Sequence, residues 1–417
     1  MLAQKLFRQR FLRLVTADGR VLLDVMESIQ AAGIHNGDCL SAVAFQAKVA
    51  ATDGAFVRFC GDGKILAWGD PAVGGNSSKV QEQLQNIREV QATRFAFAAI
   101  LEDGSVVMWG QAECNKYSGV QYQLRSVKEI QAGKEMFAAI LSDETAVTWG
   151  NPSLEMTTYR SFVALHHLHC VQKIQATFSA FAAIRSDGSV VTWGRPDSGG
   201  DSSAVQGELQ SVQSIQATAK AFAAICSDGS VVTWGSAISG GDSYAVQHQL
   251  RNVQGIQATQ RAFAAICSDG SVVAWGNPTD GGDSSAVQDE LRSVHQIQAT
   301  AKAFAAIRKD GSIVTWGHPK YGGHSSRVQN QLRNIQQICG TDSAFAAVLA
   351  DGRVVTWGDR HGGGDSSRIQ HQLQNVQQIC STDSAFAAIL ADGTVVTWGN
   401  SSRGGDSSRV QDQFSYI

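Results

Sequence analysis

The stretch from Val212 to Gly235, VQSIQATAKAFAAICSDGSVVTWG, decides the fold. It reads as a first strand around Ile215 to Ala217, a second from Ala221 to Cys226, a turn at Ser227-Asp228-Gly229 and a third strand from Ser230 to Trp234. The Asp-Gly pair supplies a residue that tolerates positive φ, so the second and third strands are expected to form a hairpin. Phe222, Ala224 and Cys226 fall on one face of the second strand and Ala223 and Ile225 on the other, while Val232 and Trp234 share a face of the third. A strand that is apolar or small on both faces belongs to a sheet covered on both sides by other sheets.

Moving outward, the same block recurs nine times in the 417 residues. SVVTWG at Ser189 to Gly194 and Ser230 to Gly235, or a close relative of it, places Trp68, Trp109, Trp149, Trp193, Trp234, Trp275, Trp316, Trp357 and Trp398 mostly 41 residues apart, and these are all the tryptophans of the chain. The chain is therefore an array of one supersecondary unit whose neighbours supply each other's core. Trp109, Trp193, Trp234, Trp275, Trp316, Trp357 and Trp398 are expected to be core residues, and function must lie in what varies between units.

Between units, Gly-Gly-Asp-Ser-Ser leads into Ala-Val-Gln and then Leu. Ser285 with Gln288, Ser326 with Gln329, Ser367 with Gln370 and Ser408 with Gln411 fit a capping box. Val287, Leu291 and Val294 then fall at i, i+4 and i+7, so the pattern predicts a short connecting helix with one apolar stripe. Unit one lacks such a helix before it, and Val410, Phe414 and Ile417 provide a spare one at the end of the chain, as a closed ring would require; an open or distorted arc of nine units is the alternative. The third unit is degenerate: its turn is Asp143-Glu144, and NPSLEMTTYRS replaces the glycine loop.

Composition excludes several classes. No run of about 18 apolar residues is present, so no membrane span is expected. A formal charge of -3 offers no broad attraction to nucleic acid. Cys226 and Cys267 end equivalent strands, and Cys339 and Cys380 take the glutamine place of equivalent IQAT strands, which reads as repeated small packed residues in a reduced, intracellular compartment, cytoplasmic or nuclear.

The pattern IQAT-x-x-AFAAI-x-x-DG-SVVTWG, followed by a glycine-containing loop, resembles the regulator of chromosome condensation repeat. Its length of about 41 residues is most similar to the compact three-stranded blades of a bacterial β-lactamase-inhibitor propeller in the same superfamily. The resemblance covers about Ala44 to Ile417. It implies an all-β fold: a β-propeller of about nine three-stranded blades with short connecting helices over residues 46 to 417. Residues 1 to 45, with RQRFLRLVTADGRVLLDVMESIQAAGIHNGDCLSAV, resemble the C-terminal half of a ubiquitin-like domain and imply a partial β-grasp segment. The superfamily includes exchange factors for a small nuclear GTPase, accessory domains of HECT-type ubiquitin ligases, a plant ultraviolet photoreceptor and enzyme inhibitors, so the resemblance speaks to fold more than to function.

No catalytic constellation recurs, and neither a cofactor nor a metal is expected. His166, His169 and Cys170, with His167 beside them, share a helical face that could hold Zn²⁺ if a fourth ligand arrived, but they also read as outward residues of a connecting segment. Gly-Gly-Asp-Ser-Ser lacks the Gly-Lys-Ser/Thr of a nucleotide loop and reads as turn chemistry. The two residues after IQAT vary freely on one rim: Arg94 and Phe95, Lys134, Phe178, Lys220, Arg261, Lys302, Asp342 and Asp383 are the expected partner-binding positions. A second varied set follows each Trp-Gly: Arg195, His318, Lys320, Tyr321, Arg360 and His361. The expected function is a monomeric, non-enzymatic protein-interaction scaffold. The resemblance adds two alternatives, a regulatory or substrate-binding component of a HECT-type ubiquitin-ligase system and a guanine-nucleotide exchange factor.

Overall fold

The computed structural model describes residues 12–16, 21–22, 40–44, 48–59, 65–111, 120, 122–134, 136–150 and 168–408. Near the start, Leu12–Thr16 pairs antiparallel with Val21–Leu22 and with Leu40–Ala44 in a three-stranded sheet. The rest of the expected β-grasp segment lies outside the described residues.

Nine further three-stranded antiparallel sheets follow, one per repeat, each with its strands in chain order. Blade five consists of Val212–Ala217, Ala221–Cys226 and Val231–Gly235. Phe222 stands opposite Ala217 on one side and Trp234 on the other. A register shift between Val212 and Ser214 interrupts the first strand, and the same shift recurs in blades two to nine. One extra residue there turns Val212 and Ile215, three apart, to the same buried side, which explains why the first strand's apolar residues do not alternate.

The two faces of the second strand enter two different cores. Phe222, Ala224, Cys226, Val232 and Trp234 pack on Ala180, Ala182, Ile184 and Val190 of blade four. Ala221, Ala223, Ile225 and Val231 receive Phe263 and Trp275 of blade six. Each interface thus sets a ring-bearing face against an alanine-rich one, and the alanines leave the depth that the rings fill. The Phe222 and Trp234 rings stack with centroids 5.1 Å apart, and the Trp234 indole N–H donates to Gly199 O in the preceding connector at 3.0 Å. Gly199 has φ 91°, and a Cβ there would meet the Phe222 ring at 2.6 Å, so glycine is required on both counts.

The ring closes. Phe56, Leu66 and Trp68 of blade one share a core with Ala385, Ala387, Ile389 and Val395 of blade nine. Gly404, in the connector after blade nine, sits against the Phe56 ring as Gly199 does against Phe222. Closure therefore comes from the same interface used between the other blades. Residues 409 to 417, with the expected terminal helix, lie outside the described residues.

The connectors differ from the expected α-helices. They contain single 3-10 turns, such as Ser285–Val287 and Ser367–Ile369, and the capping boxes of Ser285 and Ser367 do not form, while Gln411 of the last one lies outside the described residues. The serine one place earlier is used: Ser284 Oγ donates to Gln288 Oε1 at 2.8 Å, and the Gln288 amide donates to Val272 O of the third strand at 2.9 Å. Asp283 accepts from the Ser285 N–H at 2.9 Å, so the Asp of Gly-Gly-Asp caps the turn. Gln288 is thus a tie to the blade edge. With this tie the apolar residues are buried without a helix, Leu291 and Val294 at 1% and 2% exposure.

Candidate functional site: the axial face

The loops between first and second strands meet at the ring axis. In every blade but the third, where Gly133 stands, a threonine opens this loop and has a defined task. Thr218 Oγ1 accepts from the Ala221 N–H at 3.0 Å and donates to Ser239 O of the connector at 3.0 Å, tying the axial loop to the outer one. The same tie recurs at Thr177, Thr259, Thr300, Thr341 and Thr382.

The residue after each threonine, and Lys134 after Gly133, form a backbone strap around the axis. Asp53 N–H donates to Arg94 O, Arg94 to Lys134 O, Phe178 to Ala219 O, Ala219 to Gln260 O, Gln260 to Ala301 O, Ala301 to Asp342 O and Asp342 to Asp383 O, at 2.8 to 3.1 Å. The variable position therefore has a constant backbone role and a free side chain. Inside the strap lies a cavity of about 480 Å³, to which every blade contributes three residues.

The side chains on this ring are sorted by charge. Asp342, Asp383 and Asp53 come from blades eight, nine and one, and Arg94 and Lys134 follow from blades two and three. Arg94 pairs with the buried Asp53 carboxylate, and Arg403 from the last connector donates to Asp53 O at 3.1 Å. The Lys134 ammonium stands 4.2 Å from the centre of the Phe178 ring. The remaining arc, Ala219, Gln260 and Ala301, is uncharged. Burial, then the neighbouring carboxylates of Asp342 and Asp53, push Asp383 up to about 8. Asp342 is raised for similar reasons, burial first and then Asp53, with Arg94 and Arg403 opposing.

Of the expected partner-binding residues, Arg94, Lys134, Phe178, Asp342 and Asp383 stand together on this ring, whereas Phe95, Lys220, Arg261 and Lys302 stand one residue outside it. Lys220 is exposed. Arg261 is bound to the Asp280 carboxylate at 2.7 Å, with Asp280 1% exposed, and so is anchored. Lys302 lies 5.0 Å from the centre of the Tyr321 ring, whose edge meets His318. These contacts bring Tyr321 and His318 of the second varied set beside the first, whereas Lys320 and Arg360 line a groove on the outer wall. Arg195 pairs with Asp197, and His361 N–H donates to Asp359. Sequence reasoning missed Asp53, which occupies the same place after threonine as Arg94, and Arg403, which comes from a connector and has no periodic signal.

The possible metal group is only partly described. His166 and His167 lie outside the described residues, and Cys170 is exposed with φ 60°, at the turn position that Ser211 and Asn252 hold elsewhere. Among the described residues no group of three potential ligands forms. Nor, among them, is any helix long and apolar enough to cross a membrane. Cys226 and Cys267 are packed in blade interfaces, and burial raises both thiols.

With this geometry in hand the chain can be set beside known proteins. No family model and no curated protein matches it. Among solved structures it is similar to the ectodomain of the Arabidopsis thaliana receptor kinase ACR4, at 16% identity and TM-score 0.39 over 63% of this chain and 90% of that one. It is also similar to Prp20p of Saccharomyces cerevisiae, at 13% identity and TM-score 0.39 over 64% and 80%. A computationally designed protein, Ika8, gives 15% identity and TM-score 0.38 over 75% and 96%. The chain is a β-propeller. That assignment stands on its own closed ring of nine sheets, the architecture that its resemblance to the regulator of chromosome condensation repeat implies.

Proposed function

We propose that this protein is a non-enzymatic interaction scaffold that binds other proteins through the axial face of its propeller. The observation that supports this most is convergence: Arg94, Lys134, Phe178, Asp342 and Asp383, which depart from the repeat, line one cavity with Asp53, on loops whose backbones are strapped together. Loops held on a rigid frame suit recognition because little ordering entropy is lost on binding. The acidic residues Asp342 and Asp53 of blades eight and one beside the cations of blades two and three give the face a direction, and a partner of complementary charge would dock in one orientation.

The test is capture of partners by two variants. Lys134→Glu, Lys220→Glu and Lys302→Glu together change the axial face, and Lys309→Glu changes the opposite, hairpin-turn face. Arg261 is left in place because it neutralises buried Asp280. The triple variant is expected to lose partners that wild type and Lys309→Glu retain. Equal capture by all three would remove the axial face as the binding surface.

A further inference from the structure

A second surface lies away from the axial face. A groove of about 1030 Å³ runs down the outer wall between the connector after blade seven and the connector after blade eight. Its floor is Val354–Gly358, the outermost strand of blade eight. Lys320, His324 and Arg327 line one wall, and Arg353 and Arg360 complete the basic lining. One carboxylate lines it, Asp365, 3.6 Å from Arg360. Arg353 is paired with Asp351 at 2.7 Å but stays exposed, and among the described residues no carboxylate pairs with Lys320 or Arg327.

The repeat itself provides the comparison that makes this lining informative. At the same five places one blade earlier stand Thr279, Asp283, Ala286, Ser312 and Pro319. Another blade back they are Ile238, Asp242, Ala245, Ser271 and Pro278. Relative to those two blades all five places turn basic; His324 and Arg360 have no basic counterpart in the other units that carry the Gly-Gly loop, whereas the place of Arg327 is also basic at Lys79, Arg368 and Arg409, that of Arg353 at Lys64, and that of Lys320 holds His361. The five in this groove come from two connectors and a hairpin turn, yet they meet in one place. What sets this sector apart is that all five basic residues coincide in one groove, where the next sector has His361, Asp365, Arg368, Thr394 and Ser401.

We infer that this groove is a docking site for an acidic peptide segment in extended conformation. Arginine offers a planar fork of donors that matches a carboxylate, so Arg327, Arg353 and Arg360 favour Asp or Glu side chains spaced along a strand. The floor strand has five residues. At roughly 3.4 Å per residue it is about 17 Å long, enough for some five residues of extended chain. A peptide can end there. A nucleic acid continues past both ends, beyond the basic lining.

The experiment is fluorescence polarisation of a labelled ten-residue oligoglutamate, with a labelled single-stranded oligonucleotide of equal charge as competitor class. The first variant combines Lys320→Thr, His324→Asp, Arg327→Ala, Arg353→Ser and Arg360→Pro, residues that the same frame already carries one blade earlier. The single variant Arg327→Glu keeps the test open if the first does not fold. Binding of the peptide in low salt, weakened in high salt and by more than about tenfold in either folded variant, supports the site. No binding, or equal binding by wild type and variants, overturns it. Equal or tighter binding of the oligonucleotide, lost in the variants, overturns the peptide assignment in favour of nucleic acid. Because the axial substitutions leave this groove intact, failure here is distinct from failure of the axial reading.

Discussion

Blades five and eight have one frame and two surfaces. In both, the phenylalanine of the second strand stands opposite the tryptophan of the third, with ring centroids 5.1 Å apart, and the indole donates to a connector glycine at 3.0 Å. Yet blade five places Ala219 on the axial strap where blade eight places Asp342, and Ser230 at the hairpin where blade eight places Arg353. The residues that build the blade and those that distinguish it occupy separate positions. A surface can therefore change in one sector of the ring without touching the cores between blades.

If the frames are equal, equal injuries should cost equal amounts. Trp234→Ala and Trp357→Ala are each expected to destabilise by about 3 to 5 kcal/mol, since each removes a stacked, buried indole and leaves a cavity. Urea denaturation of both variants checks this. A large difference between them would show that one interface bears more of the ring than the other.

The rim cations, by contrast, should differ although they look alike in sequence. Arg261→Ala leaves the Asp280 carboxylate buried without its cation and is expected to cost about 1 to 3 kcal/mol, whereas Lys220→Ala should change stability little. The same denaturation assay separates them. Similar values for the two would contradict the anchored role of Arg261.

The acidic arc of the strap adds a pH dependence that the neutral arc lacks. Asp383 keeps its proton in the folded ring up to about pH 8, while an unfolded aspartate releases it near pH 4. In that window the folded state binds more protons, so stability falls as pH rises through it. Asp383→Asn is expected to raise the melting temperature at pH of about 8.5 and to change it little near pH 5. A variant whose pH slope matched wild type would mean that the carboxylates are not crowded.

The smallest expected effect concerns blade three. Its hairpin turn holds Glu144 at φ 63°, where blade five has Gly229 at φ 77°. Glu144→Gly should stabilise by about 1 kcal/mol by removing a left-handed non-glycine residue. Hydrogen exchange should show 136 to 150 less protected than 262 to 276, because Trp149 donates to Met108 Sδ in place of a glycine carbonyl, and Gly133 replaces the threonine tie. Equal protection would place the degenerate unit among the sound ones.

These contrasts also indicate what could be read from the chain alone. Strand order, hairpin turns, both faces of the second strand and the buried tryptophans were legible, because they follow from period-two patterning repeated nine times. The connectors were misread because Val287, Leu291 and Val294 have helical spacing, but a turn and a glutamine tie bury Leu291 and Val294 and half-bury Val287, which leaves the same apolar signature as a helix. The axial strap was hidden for the opposite reason. Its backbone bonds impose no side-chain preference, so Arg94, Phe178 and Ala219 showed variation and nothing of their common backbone role. The anchored state of Arg261 depended on Asp280, 19 residues later, and no local pattern links them.

The central claim is that all nine indoles are clamped between adjacent blades, at 3 to 5% exposure, in a closed ring. Iodide quenching of intrinsic tryptophan fluorescence tests it directly. The account predicts blue-shifted emission that iodide barely quenches until the chain unfolds. A readily quenched, red-shifted population in the native protein would contradict it.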